Sequence, residues 1–132
     1  MYIKNWINFK NNRVHTMMII EAILKINPNA KVSVSGSDIN DCEIEWHNGT
    51  TPISKADIEA QFPIVEFDMA MEDLRAKRNK DLQDSDWTQL PDNTLTSEQR
   101  NAWMLFRTEL RNITDGLTTV EQVNNIDYPD KP

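Results

Sequence analysis

Ser85-Asp86-Trp87-Thr88-Gln89-Leu90-Pro91-Asp92, followed shortly by Thr96-Ser97-Glu98-Gln99, marks a corner between two helices. Thr96 and Gln99 have the residue types and spacing of a capping box, in which a hydroxyl and an amide satisfy each other's backbone N–H groups. The helix opened there carries Trp103, Phe106, Leu110 and Ile113, a 3-4-3 spacing that makes one apolar seam for packing on a neighbouring helix. Thr114-Asp115-Gly116 ends it. On the other side of the corner, a longer helix is predicted from Ile64 to about Asp84. Its stripe is Phe67, Ala70, Met71, Leu74 and Leu82, interrupted by Arg78, and Arg75, Lys77, Lys80 and Asp81 charge the rest. So narrow a stripe suits packing on one surface rather than burial all round. Beyond the second helix a short element is expected at Val120 to Ile126. Asp127-Tyr128-Pro129-Asp130-Lys131-Pro132 then reads as extended, because each Pro restricts the residue before it.

Toward the N-terminus the periodicity changes. Val14, Met17, Met18, Ile20, Ile23, Leu24 and Ile26 predict a helix over 14–26, stopped by Asn27-Pro28-Asn29. Lys31-Val32-Ser33-Val34-Ser35 and Cys42-Glu43-Ile44-Glu45-Trp46 alternate with period two, separated by the turn-rich Gly36 to Asp41. They are expected to pair as a hairpin, with Val32, Val34, Cys42, Ile44 and Trp46 facing the first helix. Tyr2, Ile3, Trp6, Ile7 and Phe9 suggest a short strand or arm. Ser54 reads as an N-cap with Asp57 at N3, and the helix it opens is expected to break or kink at Pro63. The fold class is therefore α+β. A small helix-plus-hairpin domain over 1–62 precedes a long helix and a C-terminal helical pair with an extended tail over 63–132.

Composition narrows the function. Fourteen basic and 21 acidic residues leave a net charge of −7. Such a chain gains little from counterion release on a phosphate backbone, and an anionic membrane surface repels it. No stretch approaches the ~20 apolar residues of a membrane span, and Met1 to Trp6 lacks a signal-peptide core. Neither nucleic acid nor membrane is expected as a partner; a protein is. Four Trp and six Met suit both a core and an interface.

Chemistry is hard to find. Cys42 is the lone cysteine, which excludes an intramolecular disulfide and a multi-thiolate zinc site. It reads as a small buried apolar residue. His15 and His47 are the only imidazoles, neither at a recognisable spacing from a nucleophile or a second ligand. Asp38, Asn40 and Asp41 lack the order of a calcium loop. Three glycines leave no phosphate-cradling loop. The expectation is a binding protein without catalysis, cofactor or metal. An enzymatic reading would need a metal or a reactive pocket lined by His15 or His47.

The C-terminal motifs carry a resemblance. Arg75-Ala76-Lys77-Arg78-Asn79-Lys80-Asp81-Leu82, the octapeptide from Ser85, Thr96 through Trp103, and Arg107-Thr108-Glu109-Leu110-Arg111-Asn112-Ile113 resemble the C-terminal module of the tail fibre assembly chaperones of tailed bacteriophages. That family closes on Trp-Pro-x-x-Pro; here Tyr128-Pro129-Asp130-Lys131-Pro132 puts Tyr in place of Trp. The N-terminal half is similar to small phage tail proteins at Ala22-Ile23-Leu24 through Ala30, at Ile44-Glu45-Trp46, and at Pro52 through Glu59. The resemblance spans roughly 20–132. It implies binding to a trimeric tail fibre, usually near the distal end, and help in its folding or assembly. That work would be done in the host cytoplasm. Some members leave and others stay on the virion tail, where self-association in a symmetric assembly is also conceivable. The other reading is a permanent structural component of the tail or baseplate without chaperone activity.

The residues expected to bind the partner are Trp87, Leu90, Pro91, Trp103, Arg107, Arg111, Tyr128 and Pro129. Aromatic anchors flanked by Arg are typical of interface hot spots. Two alternatives stay open: Trp103 as core of the helical pair, and Trp87 folding back to cap it. Tyr128 is the foremost contact candidate, since an extended Pro-bounded tail has little core of its own.

Overall fold

The computed structural model describes residues 15–132. The chain forms two compact units, up to Glu66 and from Phe67 onward. It is α+β and mostly helical: an N-terminal helix, an antiparallel two-stranded hairpin, a long helix and further C-terminal helices. The strand or arm expected at residues 2–9 lies outside the described residues, as does Val14.

In the first unit, α1 is helical over 15–26. Its buried side is Met18, Ile19, Ala22 and Ile23, while Met17 is 52% exposed. The stripe is thus rotated from the expected one. At 100° per residue, 18, 19, 22 and 23 share one face, and Met17 points the other way. Asn27 then ends the helix with its own groups: its carboxamide oxygen accepts from Asn29 N and its carbonyl from Ala30 N. β1 (Lys31–Ser35) pairs antiparallel with β2 (Glu43–His47), placing Val32 opposite Trp46 and Val34 opposite Ile44. These four are half-buried, and Cys42, just ahead of β2, is buried. Gly36 has φ +100°, and a Cβ there would come within 3.2 Å of Cys42 Cα, so the turn requires glycine.

Ser54 caps α2 (Lys55–Ala60) by accepting from Asp57 N at 3.2 Å. The break expected at Pro63 falls two residues earlier. Gln61 closes α2, and its carbonyl accepts from Ile64 N and Val65 N to open α3 (Phe62–Asp84). Pro63 thus sits in the first turn of α3, where its missing N–H breaks no bond.

In the second unit, α3 leads through a 3-10 turn (Asp86–Gln89) to α4 (Ser97–Asn112) and then α5 (Val120–Asn124). Met71 and Leu74 of α3, Ile113 beyond α4 and Val123 of α5 form the buried cluster, with Phe67, Ala70, Leu117, Ile126 and Tyr128 packed on it. The capping box at Thr96 and Gln99 is present, and Phe106, Leu110 and Ile113 of the predicted seam are buried. A second box, Thr119 with Gln122, opens α5.

Candidate functional site

The last turn of a helix leaves carbonyls without intrahelical partners. Here those of Asp81 and Leu82 become the hub of the corner. Ser85, with 0% exposure, donates its hydroxyl to Asp81 O at 2.7 Å and Leu82 O at 3.1 Å. Arg107 reaches back from α4 and donates through Nη1 to Leu82 O at 2.6 Å and Ser85 Oγ at 2.7 Å, and through Nη2 to Asp86 Oδ1 at 2.8 Å. Its Nε is buried and has no hydrogen-bond partner among the described residues. Thr88 Oγ1 donates to Ser85 O, and Asn93 Nδ2 donates to the carbonyls of Thr88 and Leu90. The 3-10 turn is therefore held from inside by short hydroxyl and amide side chains.

That internal lattice turns the apolar side chains of the turn outward. Trp87 is 48% exposed and Leu90 55%. Trp87 meets Trp103 edge-on at 6.0 Å, and Trp103 meets Phe106 at 5.8 Å. Leu90 and Pro91 line a shallow groove with Asn93, Arg100, Asn101 and Met104. Met104 is 55% exposed, and its neighbour Leu105 61%.

The expected partner-binding residues therefore fall into two groups. Trp87, Leu90, Pro91 and the half-buried Trp103 come together at the corner. Arg107 lies beneath them, 7% exposed and spent on its own chain. Arg111 is exposed in the last turn of α4, where a cation complements the helix dipole. Tyr128 and the half-buried Pro129 form the second group, and here the picture of a tail without a core needs correcting. The Tyr128 ring packs on the Met71–Leu74–Ile113–Val123 cluster, and its hydroxyl donates to Asp81 Oδ2 at 2.6 Å. Lys77 Nζ sits 2.9 Å from the ring centroid, a cation–π contact. Lys77 and Lys131 also lie 3.6 and 3.9 Å from the Asp81 carboxylate. Burial first, and then the bond to Asp81, push the Tyr128 phenol well above its ordinary range. The hydroxyl of Tyr128 first of all, against the opposing effect of burial, and then Lys77 and Lys131, hold the Asp81 carboxyl below its ordinary range.

Sequence reasoning missed Met104 and Leu105. The signal was present: both are apolar yet lie off the Trp103–Phe106–Leu110–Ile113 seam. It also missed Ser85 and Thr88, whose three-residue spacing suits one turn of a 3-10 helix.

In the first unit, His15 lines an open pocket with Met18, Asp38, Ile39, Phe62 and Glu66, and His47 Nε2 lies 2.9 Å from Ser33 Oγ. Among the described residues no group of three His, Cys, Asp or Glu side chains could hold a metal ion. No described helix is long and apolar enough to cross a membrane.

No curated protein and no solved structure matches the chain. Residues 71–132, which take in the corner, α4, α5 and the tail, match the family model described as phage tail assembly chaperone protein; residues 20–70 of the wider resemblance lie outside that match. Over this C-terminal segment the chain is similar to the phage tail assembly chaperone family.

Proposed function

We propose that the chain binds the trimeric tail fibre of its phage during assembly in the host cell, helps it fold or assemble, and remains on it in the virion. The observation that carries this reading is the apolar surface of the corner, where Trp87, Leu90, Pro91 and Met104 face solvent. Large apolar side chains gathered on a surface mark a binding site more often than chance exposure. Arg107, Ser85 and Thr88 hold the backbone beneath them, so little ordering is required on binding. A folding fibre presents unpaired edges and bare apolar surface that would otherwise aggregate. A rigid apolar patch on an acidic, well-solvated protein suits the task of covering them. Arg111 lies exposed on the same helix and is assigned to the rim.

Co-expression with the tail fibre of its phage tests the proposal. The fibre should form soluble trimers only when the chain is present, and the two should co-purify. Equal yields of soluble trimer without it would remove the chaperone reading. Mass spectrometry of purified virions tests retention, and absence of the chain there would remove that part.

A further inference from the structure

We propose that the tail from Ile126 to Pro132 is a releasable strap that covers the cluster at Met71 and Leu74 of α3 and is fastened at one polar point, the Asp81 carboxylate. Ile126 N donates to Val123 O at 3.3 Å; beyond it, among the described residues, no backbone hydrogen bond ties the tail down. Pro129 and Pro132 have no N–H to offer. The side chains Ile126 and Tyr128 pack on the cluster that includes Met71 and Leu74. Among the described residues, the polar attachments of the tail converge on Asp81: the Tyr128 hydroxyl at 2.6 Å and Lys131 at 3.9 Å, with Lys77 of α3 bridging Asp81 and the Tyr128 ring. The corner, by contrast, is secured by several independent bonds from Arg107, Ser85, Thr88 and Asn93. A segment held by one point and a few apolar contacts opens on its own, before the unit as a whole unfolds. Opening uncovers the cluster at Met71 and Leu74, on which Ile126 and Tyr128 pack, while α3 and α4 keep their corner.

The test is thiol labelling of the full chain carrying Met71→Cys in a Cys42→Ser background. Met71 is 5% exposed in the cluster on which Ile126 and Tyr128 pack. Labelling should proceed through an opening that depends only weakly on urea, since it exposes little surface. Tyr128→Phe, which keeps the ring and deletes the fastening, should speed labelling about tenfold, the effect expected from losing one hydrogen bond to a charged group. A chain ending at Asn125 should label faster still. If it does not fold, Tyr128→Phe alone decides. Labelling with the full urea dependence of global unfolding, or at an unchanged rate in Tyr128→Phe, would overturn the proposal.

Discussion

Arg107 shows how a residue's type can suggest one role and its place another. A guanidinium offers donors in a planar fork, and here they close the C-terminus of α3 from a distance of 25 residues. Lysine at this position has a single ammonium on a flexible stem and cannot satisfy Leu82 O, Ser85 Oγ and Asp86 together. Arg107→Lys should therefore destabilise the protein by about 2 kcal/mol in urea unfolding, the penalty of leaving buried polar groups unpaired. Asp86 is 66% exposed at its side chain, so Asp86→Asn should cost under about 1 kcal/mol. Equal losses would show that the ion pair, not the capping of carbonyls, carries the contact. The Tyr128–Asp81 pair sets a pH signature. The depressed Asp81 carboxyl contributes stability that is present above its ordinary value of 3.8 and is lost as pH falls through its folded value. The raised Tyr128 phenol contributes stability that is full below its ordinary value of 10.0 and is lost as pH rises above it. The groups facing this pair are Lys77, Arg78 and Lys131. The stability difference between the protein and Tyr128→Phe should be largest near neutrality and shrink at both extremes. A difference that stays constant from acid to alkali would sink this account.

At the scale of elements, the helices of the second unit owe their starts to local chemistry. Thr96 and Gln99 bond each other's backbone, at 2.9 Å for Thr96 N to Gln99 Oε1 and 3.2 Å for Gln99 N to Thr96 Oγ1. Thr96→Ala should cost about 1 kcal/mol and fray the first turn of α4, visible as faster amide exchange at the residues following Ser97. The box at Thr119 and Gln122 performs the same service for α5, whose five residues are too few to persist alone. The box at Thr96 is read from the sequence because a cap needs only residues three apart, and the same spacing at Thr119 and Gln122 went unread. The boundary at Gln61 was less legible. A proline rules out the interior of a helix but fits its first turn, so Pro63 alone does not say on which side the break falls.

For the molecule as a whole, the apolar corner and the acidic remainder predict separable effects on folding and binding. Leu90→Ser combined with Met104→Ser should leave stability within about 0.5 kcal/mol, since both side chains are more than half exposed. The same pair should weaken fibre binding at least about tenfold in a pull-down titration, as loss of interface anchors does. Full affinity in that variant would move the contact elsewhere on the protein. The sequence by itself determined the α+β class, the hairpin with Val32, Val34, Ile44 and Trp46 on one face, the capped helix α4 and the corner at Ser85. Each depends on period, spacing or turn chemistry over a few residues. Only the tertiary structure decided that Arg107 turns inward, that Tyr128 docks on α3, and that Met104 joins Leu90 on the surface. The bonds of Arg107 and Tyr128 link residues 21 to 47 apart. Such contacts depend on how two helix faces meet, a choice that hydrophobic period leaves open once each helix has its stripe.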